Sequence, residues 1–446
     1  MRDVVVMTAV VVLSLWALRR PWVGILLWTW LSLMNPHRLG WGFAVDAPVA
    51  AIAAAVTFVG LLFTRHRQSP FQGAPVALFM CFAIWVTLSW FLGVDTDGDY
   101  PQWSKVMKIY LMTAMALVLI IDKKQIIAFA WVVAGSLAFF GTKGGIFTII
   151  NGGSYRVWGP PDSFIEDNNE LALALIMTIP LLHFLQMQVQ SRIGRHVVSA
   201  VMVLCAASAL GSYSRGGLLA IAAMGAMIWW RSSHKAALSL LIGVFLVALV
   251  PMMPEDWWDR MRTIGEYDED ASAQGRLYAW GVAYQVAKNY FAGAGMSFQH
   301  PSLFALFGNG PDTVIAAHSI YFQVLGNHGF PGLFLFLLLW MTTYRTASWL
   351  RRNGGAHPES KWTVELGAMV QVSLIGYAVG GAFLSLAYFD LPYDLMVIVV
   401  LAKAWVKRRA WETESRQSFL EYVGVRRPRA TRPPAASGGA TQVGPP

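Results

Sequence analysis

Three short segments place basic side chains beside residues that leave the backbone open. Ser212-Tyr213-Ser214-Arg215-Gly216-Gly217 joins two apolar runs. Its glycines let a ligand approach and leave N–H groups free at the start of the next helix, a position that favours an anion. The Arg215 guanidinium adds a fork of donors matched to phosphate oxygens. Gln274-Gly275-Arg276 opens another helical stretch, with Trp280 one turn on. His318 stands where the chain re-enters an apolar run, and an imidazole there can take a proton near neutral pH. A fourth segment runs from Arg156-Val157-Trp158-Gly159 to Glu166-Asp167-Asn168-Asn169-Glu170. Its acids and amides can cap the next helix or orient a sugar or the imidazole. Singly, each signal has an ordinary reading: Arg215 can snorkel to headgroups, Arg276 can be a solvated charge, and His318 can be a satisfied boundary residue. Together they suggest Arg215, Arg276 and His318 as catalytic groups. Arg156, Asn169, Ser214, Tyr213, Trp280 and Lys143 are the candidate substrate contacts.

These segments need a scaffold, and the composition names its class. Of 446 residues 56% are hydrophobic and 13% charged, too few charges for a soluble protein of this length. Apolar runs of membrane-spanning length recur without the alternation of a barrel, so the chain reads as an all-α polytopic membrane protein with twelve or thirteen transmembrane helices. Basic loops at Arg65–Arg67, Asp122–Lys124, Arg192–His196, Arg231–Lys235, Tyr344–Lys361 and from Lys407 onward are expected in the cytoplasm. Segments 95–103, 142–169, 212–216 and 253–316 then face outward. Four parts follow: N-terminal transmembrane helices over 1–252, a large helical periplasmic loop over 253–316, C-terminal transmembrane helices over 317–406, and a cytoplasmic tail over 407–446. Val4–Leu18 reads as a retained helix rather than a cleaved signal.

Within the long loop, Trp257, Trp258, Met261 and Ile264 suggest one face of a short interfacial helix. Arg276–Phe291 suggests an amphipathic helix with Leu277, Trp280, Tyr284 and Ala287 on its apolar face, ended by Gly293 and Gly295. Glu255–Asp270 holds seven carboxylates, which can form a solvated face or contact nearby cations. Arg426–Pro446, rich in Pro, Gly, Ala and Arg, is expected to be disordered. Cys81 and Cys205 both lie in apolar runs and read as core residues.

The net charge of +9 comes mostly from the cytoplasmic loops and the tail, which suits contact with anionic membrane lipids. No motif supports nucleic-acid binding. A second basic set falls at the outward ends: Lys105, Lys108, Lys143, Arg156, Arg215, Arg260, Arg262 and Arg276. The positive-inside bias disfavours that placement, and a cation at the membrane boundary is costly unless paired. A bound anion is the simplest compensation, and a lipid-linked diphosphate is the natural candidate.

The order of these segments resembles the O-antigen ligase and polymerase superfamily, over about residues 100–405. That superfamily carries a Ser-Arg-Gly turn, an Arg in a large periplasmic loop, and a later His-Asn-x-x-Leu…Glu-x-Gly-x-x-Gly segment. Here these match Ser214-Arg215-Gly216, Arg276, and His318…Gly329…Gly332, while an upstream Gly…Asn-x-x-Ala element matches Gly159 and Asn169…Ala172. Ser319 stands where the pattern has Asn, and Asn327 where it has Glu. GPPDSFIEDNNELA and NPHRLGWGFA look like the exosortase-associated O-glycosylation ligases. The resemblance implies a helical fold like that of the C-type membrane glycosyltransferases. It also implies transfer of a glycan from undecaprenyl diphosphate to a hydroxyl of lipid A-core at the periplasmic face of the inner membrane. Arg215 and Arg276 would neutralise the leaving diphosphate, His318 would be the general base, and neither cofactor nor metal would be required.

Two rivals use the same donor: an O-antigen polymerase, whose acceptor is a second lipid-linked glycan, and a protein O-glycosylation ligase. A transporter or flippase would instead place ionisable groups near mid-membrane, often in repeated halves. The outward clustering of cations and the lack of an internal repeat argue against it.

Overall fold

The computed structural model describes residues 1–232, 234–249, 253–262, 271–308 and 313–414. The expected disordered tail from Arg426 and the acidic stretch 263–270 lie outside the described residues. The described chain is helical, with no strand. Its α-helices are α1 (Arg2–Arg19), α2 (Pro21–Met34), α3 (Val49–Phe63), α4 (Ala74–Phe91), α5 (Thr96–Leu119), α6 (Lys123–Ile150), α7 (Asn168–Gln188) and α8 (Arg192–Leu210). There follow α9 (Arg215–Arg231), α10 (Lys235–Leu249), α11 (Glu255–Arg262), α12 (Ala271–Asn289), α13 (Pro301–Phe307), α14 (Ile320–Asn353), α15 (Trp362–Gly380) and α16 (Asp390–Lys407).

Local chemistry explains where these helices begin. The Asp95 carboxylate accepts from Gly98 N at 2.9 Å to start α5. Asp122 and Gln125 form a capping box on α6. Asp167, Ser191 and Ser214 cap α7, α8 and α9 with their side chains. Pro21 opens α2, and Asn35 ends it in a left-handed turn.

Among the described residues six helices are long and apolar enough to cross a membrane: α4, α6, α7, α8, and α14 and α15 with their flanking turns. The protein is therefore a multi-pass membrane protein. The sequence count of twelve or thirteen is larger for two physical reasons. Several apolar helices are short: at about 1.5 Å per residue, the 14 residues of α2 reach about 21 Å of a roughly 30 Å core. Others carry charge inside the helix, as α5 does with Asp97, Asp99, Lys105 and Lys108 and α16 does with Asp390 and Asp394.

Several expected loops are helical. Segment 95–103 is the first part of α5, α6 runs on to Ile150, and α14 runs to Asn353 into the expected basic loop. α16 is buried along most of its length, from Asp390 through Ala402, and is the central helix. The Tyr393 hydroxyl on α16 lies 2.8 Å from that of Tyr110 on α5. α6 and α8 pack closely because Gly145 lets the backbone at Leu204 approach to where a side chain would stand.

Segment 253–316 holds α11, α12 and α13. α12 packs on α14 through a face that includes Trp280 and Ala287 of the expected set but not Leu277 or Tyr284. Ala279, Val282, Ala283, Val286 and Ala287 are buried, while Leu277 and Tyr284 are exposed. Small side chains let the helices approach, which pattern reading on large apolar residues does not weigh. On α11, Trp257 is buried and its indole N–H donates to the Leu210 carbonyl at 3.1 Å. Ile264 lies outside the described residues.

The connector after α12 is pinned by one buried polar knot. Asn327 Nδ2 donates to the Met296 carbonyl at 2.6 Å and to the Tyr388 hydroxyl at 3.0 Å, and its Oδ1 accepts from Phe298 N at 2.9 Å. His328 is fully buried, with Nδ1 2.8 Å from Ser89 Oγ and Nε2 2.7 Å from the Tyr388 hydroxyl. The Asp99 carboxylate accepts from Met296 N at 2.6 Å. Gly293 (φ 75°) and Gly329 (φ 66°) let the connector and the kink of α14 meet backbone to backbone. Gly293→Ala should destabilise the protein by about 1–3 kcal/mol, because a Cβ there is strained and meets the Asn327 backbone. Unfolding of variant and wild type in the same detergent checks this.

Candidate functional site

The first turns of α7, α9 and α14 converge, and each brings one sequence-predicted segment. At α9, Ser214 Oγ accepts from Gly217 N at 3.0 Å, so the cap is built by the motif itself and Arg215 is the first helical residue. Ser214 is buried and Arg215 is half-buried. Tyr213 adopts a left-handed conformation (φ 61°) and donates its hydroxyl to the Gly153 carbonyl at 2.7 Å. The Arg156 guanidinium lies 5.6 Å above the Tyr213 ring. Arg156 itself is exposed.

The start of α7 is tied to this turn. Buried Asn168 donates its amide to the Ser212 carbonyl. A Cβ on Gly217 would lie 3.2 Å from the Cβ of Ala172. Asn169 Nδ2 donates to the Asp167 carboxylate at 2.8 Å, so Asn169 serves the cap that starts its own helix. Gly159 N donates to the Glu166 carbonyl at 2.9 Å, closing the loop that carries Asp162 to Ile165.

The start of α14 reaches the same place through the turn Gly381–Phe383. A Cβ on Gly216 would stand 3.2 Å from Phe383 Cβ, and one on Gly381 would press on Ile320. His318 precedes α14 in a left-handed conformation (φ 42°) and is half-buried. Trp280 on α12 donates its indole N–H to the Ala317 carbonyl at 2.7 Å. Its ring stacks on Phe322 with centroids 4.7 Å apart and planes 5° from parallel. Trp280 therefore holds the backbone that presents His318.

Burial lowers the pKa of His318 from its ordinary value, and the Arg276 charge lowers it further. The Asp167 carboxylate opposes both. His318 thus lies within electrostatic reach of a cation from α12 and an anion from the start of α7. Burial alone would raise the Asp167 pKa. Hydrogen bonds from Glu170 and Asn169, with His318 nearby, hold it below its ordinary value. The sequence treated Asp167 as a cap or an orienting group and did not place it among the site residues. The signal was the run Asp167-Asn168-Asn169-Glu170, whose capping role is real and concealed the second one.

Lys143 falls apart from the rest. It is exposed on α6, well before the end of that helix, and among the described residues no hydrogen bond, ion pair or ring contact joins it to the other candidates. Side chains of Arg260 and Arg262 are outside the described set.

A family model described as O-Antigen ligase matches residues 200–337, which contain Ser214, Arg215, Arg276 and His318. Over that part the chain is similar to the O-antigen ligase family. Residues 1–191 match a model described as a family of unknown function, DUF5935. No curated protein matches the chain. That match supports a glycan ligase or polymerase type of activity, with lipid-linked glycan and acceptor substrates in general. The DUF5935 match contains Asp167 and Asn168, so the convergent candidate site draws on both matched regions.

Asn168 joins those regions. Asn168→Ala leaves the buried Ser212 carbonyl without its donor and should cost about 1–3 kcal/mol. Because Arg215 follows that turn, glycan transfer should fall more than the folded fraction does. Parallel measurement of unfolding and transfer rate on one preparation checks both.

Proposed function

We propose that the protein transfers a finished glycan from undecaprenyl diphosphate to a hydroxyl of lipid A-core at the periplasmic face of the inner membrane. The observation that supports this reading is that His318 feels the charges of both Arg276 and Asp167, while the turn Gly381–Phe383 joins its helix start to the capped one that bears Arg215. With its pKa lowered, His318 is a neutral imidazole at working pH and can accept a proton. The acceptor oxygen attacks the anomeric carbon while its proton passes to His318. The bond from that carbon to the diphosphate breaks on the opposite face, which inverts the centre. Arg215 and Arg276 balance the charge that develops on the leaving diphosphate. Asp167 stabilises the imidazolium formed in the step. Trp280 acts through Ala317 as a positioning residue.

His318→Ala should reduce transfer by about 10²–10⁴-fold with donor binding retained. Arg215→Ala and Arg276→Ala should weaken donor binding as well, and Arg→Lys should rescue only in part, because Lys lacks the bidentate fork. The assay uses purified variants with the lipid-linked glycan and one of three acceptors: lipid A-core, a second lipid-linked glycan, or a protein. Near-normal transfer by His318→Ala would remove it as the base and move that role to Asp167 or Glu170. Transfer to one of the other acceptors alone would reassign the acceptor class.

The pH profile gives a separate test. The acid limb of kcat/KM marks protonation of His318. Arg276→Gln removes a charge that lowers its pKa, so the limb should move to higher pH. Asp167→Asn removes a charge that raises it, so the limb should move to lower pH. Shifts in the same direction, or none, would show that the limb belongs to another group.

A further inference from the structure

We propose that a small cavity between α2, α5 and α16 binds one sodium ion, held by the carboxylates of Asp390 and Asp394 and the hydroxyls of Thr29 and Thr113. The cavity measures about 10 Å³, the space of a single small ion or water, and these four residues are its polar lining. Ile25, Trp28, Ile109, Met112, Ala116 and Phe129 close it with apolar surface. Glycan transfer as proposed above uses none of these residues.

Helical spacing builds the site. Asp390 and Asp394 are four residues apart on α16, so both lie on one face, about 6 Å apart along the axis. Thr29 comes from α2 and Thr113 from α5. Asp390, Asp394, Thr29 and Thr113 are 7%, 7%, 4% and 6% exposed, and polar groups at that depth require partners. Asp390 Oδ1 accepts from Ser32 Oγ at 2.6 Å. Asp394 Oδ2 is wholly enclosed and has no hydrogen-bond partner among the described residues. Thr57, Thr148 and Thr178 donate their hydroxyls to the carbonyl four residues back. Among the described residues the hydroxyls of Thr29 and Thr113 make no such bond and are available to the cavity. The four groups thus surround one space without bonding each other, as the ligands of a single ion do.

Charge and donor type select the ion. Lys105 acts electrostatically on Asp390 and offsets one of the two carboxylates. The second has no cation, and an apolar-walled cavity penalises a charge left alone. One further positive charge restores balance, which favours a monovalent ion over a divalent one. Oxygen donors suit a hard cation, and so small a cavity suits sodium better than potassium. A proton on Asp394 also balances the charge, but its O–H then needs an acceptor that the described residues do not supply. The ion ties the central helix α16 to α2 and α5, just after Tyr388, which bonds Asn327 and His328.

Thermal unfolding of the full chain in detergent tests this, with sodium chloride exchanged for choline chloride at constant ionic strength. Sodium should raise the midpoint saturably, and radioactive sodium should bind at one ion per chain. Thr113→Val removes one ligand and should raise the half-saturating sodium concentration about tenfold. Asp394→Asn removes the uncompensated charge at nearly constant size. It should fold without sodium and lose the sodium effect. A wild-type midpoint indifferent to sodium would overturn the proposal and leave water or a proton in the cavity. Equal stabilisation by potassium, or a sodium effect retained in Asp394→Asn, would overturn it as well. If neither variant folds, the amount of sodium bound by the wild-type chain decides: one ion supports the site and none removes it.

Discussion

The knot around Asn327 and His328 decides where everything above it can stand. A buried polar group is tolerated only when bonded, and here every bond crosses between segments distant in sequence. Asn327 holds the backbone at Met296 and Phe298, and His328 bridges Ser89 on α4 and Tyr388 just before α16. These bonds fix the connector that leads from α12 back to the bundle. With that connector fixed, Trp280 on α12 can reach Ala317, and His318 is presented beside Arg276. A site assembled from a helix outside the bundle and two helices within it needs such an anchor, because small displacements of reacting groups carry a large penalty.

Charge is arranged around this anchor with the same economy. The helix starts at Asp167 and Ser214 are capped by residues that themselves border the candidate site. Asp167 satisfies its own helix and acts on His318 from the same position. The cations form two groups with different surroundings. Arg276 acts electrostatically on His318, whereas Lys105 and Lys108 are exposed along a separate groove, with Asp390, Asp162 and Glu166 acting on Lys105.

Much of this was legible in the residues. Apolar runs over α4, α6, α7, α8, α14 and α15 required membrane helices, and Asp167 was readable as a cap, whereas the capping role of Ser214 was not read. The turn Ser212–Gly217 and the position of His318 ahead of an apolar run pointed to the site. The boundaries were less legible. α5 begins among charges at Thr96, and α6 passes Lys143 and continues to Ile150, because helices persist through polar residues when neighbours or a water-facing surface accept them. The face of α12 was legible only in part: Trp280 and Ala287 pack as expected, while Leu277 and Tyr284 look apolar and are exposed and small alanines and valines make the remaining contact.

The sequence by itself determined the solvent: a chain this apolar must satisfy its backbone within helices in lipid. It also named the residues whose side chains are capable of phosphate binding and proton acceptance, because that capacity belongs to the side chain. Only the tertiary structure decided which of them act together. Asp167 joins His318, Trp280 supports it, Lys143 stands aside, and Arg38, Lys105 and Lys108 gather at a second groove. Electrostatic coupling depends on distance and burial, and neither is written in the spacing of residues along the chain.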